Sequence, residues 1–202
     1  MAASEGGLRV HNTAGSGYSS GGNTMAFNIV ASEATNLFQG DVVKLVSDGT
    51  VVAMSAVGDT PVLGVFVGCS FTNSDGELIY SNKYVDTIAA EGTTAHVLVN
   101  PYQLYTIQIS DGSDANDTLT RTSIGLNFDI EFLAGNSTTG MSGMCLDTSS
   151  PGGIVGAANI RVVGLTNNDG TNDMAGTAST TYSHAIVMID PKISFWIDGP
   201  GL

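Results

Sequence analysis

Charge is scarce in this chain, and positive charge is scarcer. Only 12 per cent of the 202 residues are charged, 19 acidic against 6 basic, for a formal net charge of −13. The six cations, Arg9, Lys44, Lys83, Arg121, Arg161 and Lys192, stand singly along the sequence. Holding a phosphate backbone takes clustered Lys and Arg, because that electrostatic contribution supplies most of the affinity. No nucleic-acid partner is therefore expected. The same shortage argues against an anionic membrane surface.

Long hydrophobic runs are also missing. The longest, "VLGVFVGC" (62–69), falls far short of the ~20 residues that a bilayer-crossing helix needs. The opening "MAASEGGLRVHNTAGSG" lacks a basic stretch followed by an apolar one, so no secretory leader is expected and synthesis in a cytoplasm fits. The two cysteines, Cys69 and Cys145, lie far apart and neither belongs to a CxxC pair. Two buried free thiols are the natural reading. Helical periodicity is nearly absent; "SEATNLFQG" (32–40) and "TRTSIGLN" (120–127) could each make one short turn.

What remains is a chain built for strands. Hydrophobic residues make up 42 per cent, and glycine (26) with proline (5) roughly 15 per cent, below the ~25–30 per cent that marks low-complexity disorder. Asp-Gly pairs at 48–49, 75–76, 111–112, 169–170 and 198–199 suit the positive φ of tight hairpin turns. "VNPYQLYTIQI" (99–109) alternates, with Tyr105, Ile107 and Ile109 on a core-facing side and Tyr102 and Gln108 on the other. The expected fold is all-β, a small β-barrel or sandwich of short antiparallel strands. Three zones are expected: a flexible Gly/Ser-rich arm over 1–23, a small barrel over 24–110, and a looser β-rich region over 111–202 packed on it. The arm has too few apolar groups to offset its ordering entropy.

Reactive constellations are weak. "GYSSG" (17–21) matches the G-x-S-x-G elbow around Ser19, but that elbow needs a strand before it and a helix after it, and this copy lies in the arm. His96 and His184 open strand-like runs, and His11 lies in the arm. A metal or base site from the strand histidines is a rival to the commoner strand-edge histidine bonded to its neighbours. Asp111, Asp114 and Asp117, or Asp169 and Asp173, supply the oxygen ligands calcium prefers, yet neither loop has the EF-hand register and both read as turns. Asn116 and Asn136 match glycosylation acceptors that carry no meaning without secretion. Tyr102, Tyr105, Phe195 and Trp196 could line a sugar cleft, although cores and interfaces use such residues more often. No catalytic residue, cofactor or metal is assigned.

The strand segments resemble a known family. "GDVVKLVSDGTVVAMSAVGDTPVLGVFVG" (40–68) resembles the barrel opening of tailed-bacteriophage head structural proteins, and "VNPYQLYTIQI" with "SIGLNFDIEFLAGNSTTGMSGMCLD", "ANIRVVGLTNNDG" and "SHAIVMI" resembles their continuation. The resemblance covers about residues 40–190. It implies a capsid decoration (cement) protein, a non-enzymatic homo-oligomer, on family grounds a trimer. Such a protein sits on the outer capsid surface of the virion and bridges copies of the major capsid protein. The expected contacts with a partner are Leu8, Val10 and Tyr18 in the arm, Tyr102 on the strand, and Phe195 and Trp196 in the tail. The alternative is a carbohydrate-binding virion module, a head fibre base or an adhesin.

Overall fold

The structure is a computed structural model. It describes residues 6–13, 23–29, 36–56, 61–85, 88, 92–110, 119, 121–149, 160–166 and 184–197. The described residues are all-β, without an α-helix. Their strands are β1 (Arg9–Thr13), β2 (Thr24–Ile29), β3 (Leu37–Phe38), β4 (Val42–Leu45), β5 (Thr50–Ala53), β6 (Val62–Thr72), β7 (Leu78–Ser81) and β8 (Lys83–Tyr84), followed by β9 (Thr94–Leu98), β10 (Gln103–Ser110), β11 (Asn127–Phe128), β12 (Ile130–Glu131), β13 (Cys145–Asp147), β14 (Ile160–Thr166) and β15 (His184–Ile189).

The first sheet runs β4-β5-β2-β9-β6-β7, and β4 also pairs with β6. That extra pairing closes five strands into a barrel and leaves β7 hanging on the far half of β6. Closure removes exposed sheet edges and needs local bends. Register shifts at Val43/Lys44 in the β4–β6 pair and at Phe66/Gly68 in β6–β9 supply them. The second sheet runs β11-β14-β15-β10-β13-β12, with β1 added antiparallel on β10. Because β11 and β12 are consecutive in the chain, residues 127–131 pair with β14 at one end and β13 at the other, and this sheet is nearly closed too.

Burial explains the sequence patterns. Strand β10 is buried at Gln103, Tyr105, Ile107 and Ile109 and half-buried between them, the period of two that places alternate side chains on opposite faces. Strand β6 departs from alternation, with Val62, Leu63, Val65 and Phe66 all buried. Both of its faces are covered: Leu63 and Phe66 fill the first barrel, while Val62 and Val65 join Val42, Met54 and Leu98 against the core of the second. A strand buried on both faces reads as a continuous apolar run, which accounts for "VLGVFVGC". Each fully buried aliphatic or aromatic side chain here contributes about 1.5–3 kcal/mol.

The structure bears on three of these expectations. Residues 6–13 of the expected arm are held in the fold: β1 pairs with β10 from Arg9↔Thr106 to Thr13↔Gln103, and Leu8 is buried in the core of the second barrel. Four backbone pairings and one buried leucine outweigh the ordering cost of a glycine-rich segment. The sheets also part between Leu98 and Gln103, ahead of the expected boundary at 110, because β10 belongs to the second barrel. Of "SEATNLFQG", positions 32–35 lie outside the described residues, and Leu37–Phe38 pair with Lys83–Tyr84. "TRTSIGLN" does hold one 3-10 turn, Arg121–Ser123.

Candidate functional site

The two barrels meet at a hydrogen-bonded joint. Gly6 N–H donates to the Ser142 carbonyl at 3.0 Å, Leu8 N–H to Gly40 at 3.0 Å, Gln39 N–H to Gly140 at 3.0 Å, and Ser142 N–H to Gln39 at 2.9 Å. Gly40 has φ +98°, and a β-carbon there would collide with the Gly6 carbonyl oxygen, so only glycine lets the N-terminal segment pass this closely. Beside it lies Asp41, 5 per cent exposed. Its Oδ2 accepts the Phe38 N–H at 2.8 Å and its carboxylate also takes the Ser142 hydroxyl. Burial pushes the Asp41 carboxyl up to about 6, against those two hydrogen bonds, which pull it down.

A second polar cluster pins the seam of the second barrel. Asp190, almost fully buried, accepts the Arg161 guanidinium at 2.9 Å, the Asn127 amide, and the Lys192 N–H at 2.9 Å. Arg161 Nε in turn donates to Asn127 Oδ1 at 3.1 Å. A buried charge persists only when paired and hydrogen-bonded. The cluster is saturated by its own members and reads as structural.

The tail makes a third feature. Phe195 N–H donates to Val62 at 2.9 Å and its ring is half-buried against the first barrel's core. Trp196 packs edge-on to it, ring centroids 5.2 Å apart, and its indole N–H donates to the Leu63 carbonyl at 2.9 Å. The Trp196 ring and Ile197 are thus held at the surface, 39 and 43 per cent exposed.

The remaining sequence candidates scatter. His96 Nε2 lies 3.0 Å from Ser70 Oγ on the first barrel, whereas His184 is on β15 of the second, its pKa lowered by burial and by the positive charge of Arg9. His11 Nδ1 bonds Thr106 Oγ1 at 3.2 Å. The structure does not bring the strand histidines together, and among the described residues no three His, Cys, Asp or Glu side chains converge as a metal site would require. Cys69 and Cys145 are both buried and neither is in a disulfide; Cys69 Sγ donates to the Lys83 carbonyl at 3.2 Å, and burial pushes its thiol up to about 11. Asn136 caps a turn by accepting the N–H groups of Thr138 and Thr139. Tyr102 stands out from the turn before β10, 54 per cent exposed, while Tyr105 is buried at 1 per cent. Val10 is 38 per cent exposed and Leu8 faces this chain's own core. Tyr18, Ser19, Asn116 and the acidic positions 111, 114, 117, 169 and 173 lie outside the described residues.

Sequence reasoning missed Tyr80. Its ring, on β7, is 72 per cent exposed and stacks near-parallel to His96. "ELIYSN" signals a strand, but which of its side chains point outward follows from its pairing with β6, which no local pattern encodes. No protein-family model, curated protein or solved structure matches this chain.

Proposed function

We propose that this chain is a virion structural protein, a decoration or cement protein that seats on the outer surface of an icosahedral phage head and bridges copies of the major capsid protein. The observation that carries the reading is the tail knuckle: an aromatic pair and Ile197 fixed at the surface by backbone and indole hydrogen bonds. Interface energy concentrates in a few such aromatic anchors, and an anchor already held in place loses little entropy when it binds. Self-association as a trimer belongs to the same proposal, as does the absence of any catalytic step.

The mechanism is mechanical. A standard interface buries roughly 1,600 Å² in total, and a copy that touches two coat subunits makes its second contact at high effective concentration. Shell opening must then break several contacts together. With so few charges, attachment should change little between low and high salt.

The test is head occupancy. Heads lacking the protein are mixed with it, pelleted, and the bound copies are counted. Trp196→Ala should lower the apparent affinity at least tenfold, the scale of a ≥ ~2 kcal/mol hot spot, while the chain stays folded. Full occupancy by a Trp196→Ala chain of unaltered oligomeric state, or no binding of the wild type to heads, would sink the reading.

A further inference from the structure

Above the outer face of the first barrel lies an open groove of about 380 Å³, lined by Val67, Gly68, Cys69, Tyr80, Ser81, Asn82 and His96. That volume is at the lower end of small-ligand pockets. Gly68 forms its floor at the β6–β9 register shift, where a side chain would run into the Ser81 carbonyl at 2.7 Å. Two rings flank this floor: His96, whose strand partner is Gly68, and Tyr80, whose strand partner is Ser70. Their centroids are 6.3 Å apart at an interplanar angle of 25°. Ser70 holds the imidazole through its hydroxyl at 3.0 Å, and the Asn82 amide is steadied by the Thr139 carbonyl at 2.9 Å.

We infer that this groove is a binding site for a neutral saccharide, the pyranose face lying on the Tyr80 ring and its hydroxyls meeting the Asn82 amide and the imidazole, while the Ser81 hydroxyl stays bonded to the Lys83 backbone. The chemistry selects the ligand class. Among the described residues no Lys or Arg lines the groove, and a chain of net charge −13 repels anions. Nor does any described carboxylate line it to offer a cation a counter-charge. The Asn82 amide keeps a further N–H and its oxygen beyond its bond to Thr139, and the imidazole a second ring nitrogen beyond its bond to Ser70, which sugar hydroxyls can meet. An exposed aromatic ring beside uncharged donors and acceptors suits a molecule with C–H faces and hydroxyl edges. The site is independent of capsid attachment: a chain that bound sugars but no heads would leave this inference standing and overturn the other.

The experiment is saturation-transfer difference NMR on the full chain with lactose, methyl α-mannoside, methyl β-glucoside and N-acetylglucosamine as separate probes. Wild type and Tyr102→Ala, which removes an exposed tyrosine outside the groove, should transfer saturation to the ring C–H protons of at least one probe. Tyr80→Ala should bind that probe about tenfold more weakly. In the wild type the Tyr80 ring protons should shift along the same titration, which keeps the test independent of how the variant folds. No transfer to any of the four probes, equal transfer with Tyr80→Ala, or unmoved Tyr80 ring signals would overturn the assignment.

Discussion

Replacing Asp41 by Asn should change how stability depends on pH, and the sign follows from the joint. Asp41 is ionised in water at an ordinary pKa of 3.8 but in the fold is held at about 6, chiefly by burial. A carboxyl raised in the folded state binds its proton more tightly there than in the unfolded chain. Its contribution is therefore fully present below pH ~4 and lost as pH rises through about 6. Two pH units of displacement correspond to about 3 kcal/mol, at 1.36 kcal/mol per unit. Asn cannot ionise, yet its carbonyl oxygen can still accept the Phe38 N–H. The assay is urea unfolding of both proteins at half-unit steps from pH 4 to 7, read as the difference in unfolding free energy, so that other titrating groups cancel. Asp41→Asn should gain up to about 3 kcal/mol on the wild type across that window, most of it between pH 4 and 6. A difference that stays level, or one that moves against the variant as pH rises, would refute the picture of a desolvated carboxylate at the joint.

Two further changes probe the packing. The Tyr105 hydroxyl is buried and has no hydrogen-bond partner among the described residues, so Tyr105→Phe should leave stability unchanged or raise it by up to about 1 kcal/mol; a loss beyond about 1 kcal/mol in denaturant unfolding would contradict this. Leu8→Ala should cost about 2–5 kcal/mol, the range for a buried leucine, seen as a lower urea midpoint at constant slope. A cost under about 0.5 kcal/mol, with head occupancy falling instead, would return Leu8 to the role of a partner contact.

Much of the strand content was legible because it is local. Alternation in 103–109 places Tyr105, Ile107 and Ile109 in the core, where they are, and the Asp-Gly pairs at 48–49 and 75–76 do form turns, with φ +81° at Gly49 and +82° at Gly76. The apolar run at 62–69 was legible as a buried strand but not as a shared wall, since two covered faces give the same string as one deep core. The fate of residues 6–13 was illegible for a different reason. Composition predicts the cost of ordering a segment, but the compensating edge belongs to β10, some ninety positions away in sequence. Tyr80 was hidden likewise: its exposure depends on β7 hanging beyond the closed part of the barrel.

That joint bears on what the molecule can do. Two barrels linked by a single crossing strand would hinge, and a hinged bridge loses much of its second-site advantage because its ends sample many separations. Here β6 is buried by both barrels, the N-terminal segment is bonded to Gly40 and Ser142, and the tail is bonded to Val62 and Leu63. Three separate parts of the chain thus make contacts across the same boundary. Tyr80 and Trp196 are both carried by the first barrel's strands or bonded to them, while Val10 rides on the second. The spacing between such surface groups is fixed by the fold, so a partner that matches it binds without first ordering the chain. The surface groups that the two barrels hold apart are where binding energy should be sought.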